Sequence, residues 1–262
     1  KSTARFQEKH YLEIFIEAIL KSFKDLQGST LIIGGDGRYG NMEAIKKIIR
    51  MCVAHKVSKV IIAKDGLLST PAASHLIRKE NAVGGIILSA SHNPGGINGD
   101  FGVKLNVANG GPAPEAITNQ IFQCSQLLKS YKISKIQIPD LNKFGSFALD
   151  KTSLKIIDGL EDYSDLMETI FDFDQISDFV KKDFSLIFDA MNAVTGPYAK
   201  NIFVEKMGLE DECVMNGFPL EDFGGLHPDP NLTYASRLAD LLLVQKSYSF
   251  GAACDGDGDR NM

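Results

Sequence analysis

The run FGAAC, Phe250 to Cys254, is followed at once by DGDGD, Asp255 to Asp259. In extended backbone, residues i, i+2 and i+4 share a face, so the spacing predicts that Asp255, Asp257 and Asp259 point their carboxylates the same way. Three like charges so close repel one another unless something positive sits among them. Gly256 and Gly258 free the backbone to curl, and an all-oxygen donor set suits a hard cation, Mg²⁺ before Mn²⁺ or Ca²⁺. Three solvated acids in a loop is the plainer reading; two interleaved glycines at a strand end count against it. An EF-hand also opens D-x-D-x-D, but Arg260 stands at the sixth position, where that loop needs glycine, and a strand rather than a helix precedes it.

A second polar loop, SASHNPGG (Ser89 to Gly96), follows the apolar run Val83 to Leu88. Ligands of open α/β sheets gather at the carboxyl ends of strands. Small residues there let backbone N–H groups approach an anion, Pro94 restrains the turn, and Ser91 is well placed between them. The alternative is a surface loop whose Ser and Asn side chains cap backbone groups. His92 is a candidate for orienting a reacting group, or for a local hydrogen bond. Lys104 is the one charged residue of FGVKLNV, set either toward a site or on a solvent face, since alternation puts Phe101, Val103 and Leu105 opposite. Gly35, Gly37 and Gly40 spell GxGxxG, yet the acid that a dinucleotide site wants lies slightly past the next strand, at Asp65. This stretch reads as a tight strand-to-helix turn carrying Asp36 and Arg38. His227, beside Pro228 and Pro230, reads as part of a rigid loop without chemistry.

The elements that must position these loops alternate. Apolar residues at three- and four-residue spacing predict a helix from Tyr11 to Phe23, ended by Gly28. Then come a strand at Leu31 to Ile33, a helix at Met42 to His55, a strand at Val60 to Ala63, and a helix from Thr70 to about Lys79, with Thr70-Pro71 as cap and first-turn proline. GGIIL, ending at Leu88, and FGVKLNV are strands, and Pro114 opens a helix to about Lys129. A polar stretch from Tyr131 to Lys151 suits closing strands and a connection. The second series runs helix (Asp162 to Phe171), strand (SLIFDA), helix (Tyr198 to Met207), strand (ECVMN), a Gly/Pro loop (Gly217 to Asn231), helix (Tyr234 to Gln245) and strand (FGAAC). The pattern predicts an α/β class with two domains, 1–153 and 154–262, each a mostly parallel mixed sheet between helices.

Bulk properties narrow the function. Dividing 262 residues by about 150 per domain predicts two domains. A net charge of -5 offers no basic field to nucleic acid or anionic lipid. Four scattered cysteines, Cys52, Cys124, Cys213 and Cys254, form neither a disulfide framework nor a zinc spacing. No apolar run reaches the roughly 18 residues of a membrane span. The expected setting is cytoplasmic, with small-molecule partners and no transmembrane segment.

The motifs GGDGR, LSTPA, SASHNPGG, NGDFGVKLN, NGGPAPEAIT, DAMNAVTGPY, PLEDFGG, HPDPNLTYA and FGAACDGDGDRNM run in order from Gly34 to Met262. Together they resemble the α-D-phosphohexomutase family, in its glucose-specific branch that includes the parafusins. The resemblance implies that Ser91 is a phosphoserine, that Asp255, Asp257 and Asp259 bind Mg²⁺ with an oxygen of that phosphate, and that Arg260 and Asp259 meet substrate. It implies that His92 and Lys104 line the reaction centre, either one a candidate general base. The implied reaction interconverts glucose 1-phosphate and glucose 6-phosphate through glucose 1,6-bisphosphate, which is intermediate and activator. The alternatives are a different hexose specificity and a phosphorylated parafusin-like scaffold without required catalysis. The chain matches the first two of the family's four domains. The family's early Thr-Ser-Gly-Leu-Arg segment and its third and fourth domains are missing, so a fragment with little or no turnover alone is expected. Gly40 and Ser89 replace a bulky residue and a threonine common among relatives; neither change removes a group the chemistry requires.

Overall fold

Strands β1 (Thr30–Gly35), β2 (Lys59–Leu67) and β3 (Gly84–Leu88) are apolar on both faces, which is what a sheet covered by helices on both sides requires. The computed structural model describes the backbone of residues 1–262 and every side chain but that of Asp183. With β4 (Val103–Val107), β5 (Gly145–Leu149) and β6 (Thr152–Ile157), these strands form a six-stranded sheet in the order β4-β3-β1-β2-β6-β5. The inner four are parallel and the two edges antiparallel. Helices α1 (Thr3–Gln7), α2 (Tyr11–Ser22), α3 (Asn41–Ala54), α4 (Thr70–Lys79) and α5 (Glu115–Leu127) surround it. Alternation divides the strand side chains. Leu31, Ile33, Ile62 and Ile86 meet α2 and α3, while Ile32, Ile61, Ala63 and Ile87 meet Ala73, Leu76 and Ile77 of α4.

The rest of the chain builds a smaller parallel sheet, β8-β7-β9, from β7 (Leu186–Asp189), β8 (Val214–Met215) and β9 (Phe250–Ala253). Helix α6 (Gly159–Ile170) packs toward the first sheet, and α7 (Phe173–Asp183) lies on the second. Helices α8 (Thr195–Ala199) and α9 (Ser236–Ala239) each continue in wider π winding, over Lys200–Lys206 and Asp240–Val244. One apolar cluster joins Ile187 and Ala253 to Leu238 of α9; another joins Leu186 and Phe188 to Phe203 and Val180. Two layered α/β sheets between helices are therefore present, as the alternating pattern predicts. No helix among the described residues is long and apolar enough to cross a membrane.

Two expectations change. Strand β6 pairs with β2 as far as Ile157, so sheet membership runs past the expected boundary at Ser153. Helix α7 is an element absent from the predicted series, although Phe173, Ile176, Phe179 and Val180 recur at helical spacing and Asp172 caps it by accepting the Gln175 N–H at 2.9 Å.

Candidate phosphoryl-transfer site

The parallel strands deliver their loops to one end. β1 ends in Asp36 and Arg38, β3 in Ser89 to Gly96, and β9 in Asp255 to Asp259. Ser91 is buried and sits in the left-handed region, φ 55°, a conformation that costs a non-glycine residue of order 1–3 kcal/mol. Its neighbours hold it there. The Ser91 N–H donates to Ser89 Oγ at 2.8 Å, and the Ser91 carbonyl accepts from Arg38 Nη2 at 3.0 Å. Arg38 is itself fixed: Nε and Nη2 grip the Asp36 carboxylate at 2.8–3.0 Å, and Nη1 donates to the Asp100 carbonyl at 2.8 Å. Both members of this ion pair are fully buried. Gly35, Gly37 and Gly40 serve the tight turn that carries the pair: Gly37 and Gly40 have φ of +84° and +87°, and a Cβ at Gly35 would fall 2.4 Å from the Leu88 carbonyl oxygen.

The Ser91 hydroxyl meets the acidic loop. Oγ donates to Asp255 Oδ2 at 2.6 Å and accepts from Arg260 Nη2 at 2.9 Å. The three aspartates each present a carboxylate oxygen, all within 4.8 Å of one another. Strand alternation is not what gathers them, because β9 ends at Ala253 and the acids lie in a turn. Asp255 Oδ1 accepts the N–H groups of Gly258, Asp259 and Arg260, each at 3.1 Å, and Gly258 takes φ +77° to close the curl. Burial pushes the Asp255 carboxyl above its ordinary value, and the neighbouring carboxylates of Asp257 and Asp259 add to this.

Lys104 Nζ bridges Asp257 Oδ2 at 2.5 Å and Asp259 Oδ2 at 2.9 Å, so its side chain faces the site rather than solvent. Burial works against its charge, but the two carboxylates outweigh burial and raise its pKa. His92 follows Ser91 in the loop, with Nδ1 buried and without a partner among the described residues. His227 stacks on Tyr234, ring centroids 4.5 Å apart. Ser91, Lys104, the three aspartates and Arg260 are thus brought together. Sequence reasoning did not find the anchoring role of Arg38; its signal was a charged D-x-R at the end of a buried strand, where an ion pair is the way to bury either charge.

Two domain profiles of one family match the chain: phosphoglucomutase/phosphomannomutase alpha/beta/alpha domain I over residues 2–132, and alpha/beta/alpha domain II over residues 161–262. The chain belongs to the phosphoglucomutase/phosphomannomutase family. Among relatives, a phosphoglucomutase of Rhizobium radiobacter is 50% identical over 262 residues, covering 100% of this chain and 48% of its own length. A chloroplastic phosphoglucomutase of Arabidopsis thaliana is 47% identical, covering 100% of this chain and 42% of its own. The crystal structure of the exocytosis-sensitive phosphoprotein parafusin (phosphoglucomutase) from Paramecium, in its open form, superimposes with a TM-score of 0.95 at 45% identity, covering 100% of this chain and 50% of that one. The chain spans about half the length of the phosphoglucomutase/phosphomannomutase relatives it matches.

Proposed function

We propose that this chain is the serine- and acid-bearing half of a phosphoglucomutase that interconverts glucose 1-phosphate and glucose 6-phosphate. The two domains, read as 1–153 and 154–262 with β6 running on to Ile157, are those of the serine loop and the acidic loop. The observation that carries the reading is the Ser91 hydroxyl held between Asp255 and Arg260 at a strand end.

In the forward step, the bond between phosphorus and Ser91 Oγ breaks as the 6-hydroxyl oxygen of glucose 1-phosphate bonds to the same phosphorus. The hydroxyl proton passes to a base, and the serine oxygen recovers one. The resulting glucose 1,6-bisphosphate turns over and returns its other phosphoryl group to Ser91, leaving glucose 6-phosphate. Such transfer is governed by positioning and charge neutralisation. Arg260, already donating to Oγ, stabilises the charge that grows there as the bond to phosphorus breaks. Asp255 orients the hydroxyl for the reverse step. His92 and Lys104 are the candidate bases; Lys104 is an ammonium while Asp257 and Asp259 hold it, and serves as a base only when those carboxylates are engaged elsewhere.

The donor set fits a hard divalent cation: three clustered carboxylates, one of whose oxygens, Asp257 Oδ1, is buried with no partner. Asp255, Asp257 and Asp259 would hold Mg²⁺, which when bound supplies positive charge to the phosphoryl group in transfer. A cytoplasmic setting belongs to the same proposal. The Paramecium relative is described both as a phosphoprotein and as a phosphoglucomutase, so phosphate on Ser91 suits either role, and turnover of the whole enzyme, of which this chain is proposed to be one half, separates them.

The test is intact-mass analysis after incubation with glucose 1,6-bisphosphate and Mg²⁺. One phosphoryl increment that maps to Ser91 is expected, and none in Ser91→Ala. An increment that survives Ser91→Ala removes the assigned nucleophile.

A further inference from the structure

We infer that Thr70, on the first sheet's side of the site, is a positioning residue that sets Asp257 to receive a divalent cation; this rests on the cation site proposed above. Asp257 is fully buried. Its Oδ2 accepts hydrogen bonds from the Thr70 hydroxyl and from Lys104 Nζ, and its backbone carbonyl accepts the Thr70 N–H at 2.9 Å. Its Oδ1 is buried and has no partner. One carboxylate oxygen is thus saturated from outside the acidic loop, and the other is left open.

The hydroxyl is free for this task because the helix does not need it. Ser69, not Thr70, caps α4, accepting the Ala72 N–H at 3.3 Å, and Pro71 restrains the first turn. A carboxylate turns freely about its last torsion, so an oxygen anchored on one side fixes where the other points. Thr70 and Lys104 respond differently when the loop is loaded. A cation among the carboxylates repels the Lys104 ammonium, whereas the Thr70 hydroxyl adds no charge and keeps its bond. Thr70 is therefore the anchor that survives loading, and it ties occupancy of the acidic loop to the start of α4.

The test measures Mn²⁺ affinity, read as free Mn²⁺ by electron paramagnetic resonance, for the wild-type chain, Thr70→Val and Thr70→Ser. Loss of a group that orients a metal ligand weakens affinity by about 10- to 100-fold, so Thr70→Val is expected to weaken Mn²⁺ at least about tenfold. Thr70→Ser, which keeps the hydroxyl, is expected to stay near wild type. Thr70→Ala repeats the hydroxyl deletion without valine's bulk, and metal-free melts confirm that each variant is folded. Wild-type affinity in Thr70→Val or Thr70→Ala overturns the inference, as does a Thr70→Ser as weak as they are. A wild-type chain that binds no Mn²⁺ overturns the cation site itself, while phosphoryl transfer to Ser91 is read separately by mass.

Discussion

Ser91 owes its unusual backbone to a residue far from it in sequence. Arg38 holds the Ser91 carbonyl, and Asp36 holds Arg38, all without solvent. A buried ion pair that loses one partner strands the other's charge, at a cost of about 3–5 kcal/mol. Arg38→Met is accordingly expected to lower stability by that amount in urea unfolding, and Asp36→Leu/Arg38→Met to recover part of it. A double variant no more stable than Arg38→Met would show that the two charges are not coupled. Ser91 and the three aspartates were legible because each lies in a short run whose composition has few other uses. Arg38 was legible only as part of a turn, and Thr70 only as a helix cap, a role that Ser69 takes instead, because their true partners stand 53 and 187 residues away.

Among the elements, alternating apolar strands and periodic helices gave away the layered α/β class and most of the positions. What they could not give was pairing. Strand β6 belongs to the first sheet because it lies beside β2, and part of that tie is electrostatic: Glu80, just past α4, meets Lys59 of β2 at 2.7 Å and Lys155 of β6 at 3.4 Å. Helix α7 was readable, since Phe173, Ile176, Phe179 and Val180 recur at helical spacing behind Asp172, although Ile176 and Phe179 of that set are exposed in the fold. The Lys59 hydrogen bond outweighs partial burial and, with Lys155, holds the Glu80 carboxyl below its ordinary value. A carboxyl lowered in the folded state stabilises the fold above its unfolded pKa, about 4.3, and that stability is lost as pH falls through the folded value. Glu80→Gln is expected to cost about 1 kcal/mol near neutral pH, and the gap from wild type to close progressively in acid. Denaturant melts across pH read this directly; a gap that persists after protonation would assign the loss to packing instead of charge.

For the molecule as a whole, the site exists only where the two sheets meet, and the Gly/Pro loop of the second unit makes much of that meeting. The Glu221 carbonyl accepts the N–H groups of Tyr39 and Gly96, each at 2.9 Å. Phe223, buried and at φ 57°, lays its ring 5.2 Å from the Arg38 guanidinium carbon and packs on Gly95, where a Cβ would come within 2.9 Å of it. Gly256 completes the contact, since a Cβ there would lie 2.5 Å from the Ser91 carbonyl oxygen. The serine loop, its Arg38 anchor and the acidic loop therefore share one buried seam, and Phe223 is its largest apolar member. Truncating a buried Phe to Ala costs about 3–5 kcal/mol. Because this ring bridges two units rather than filling the core of one, Phe223→Ala is expected to weaken their coupling more than either unit, so that a single calorimetric unfolding transition separates into two. A transition that stays single and only moves to lower temperature would show that Phe223 does not carry the coupling, which would then rest on Val194 and Tyr198, buried in one apolar cluster with Leu68 and Ala72, and on the polar contacts of Asp255, Asp257 and Glu221.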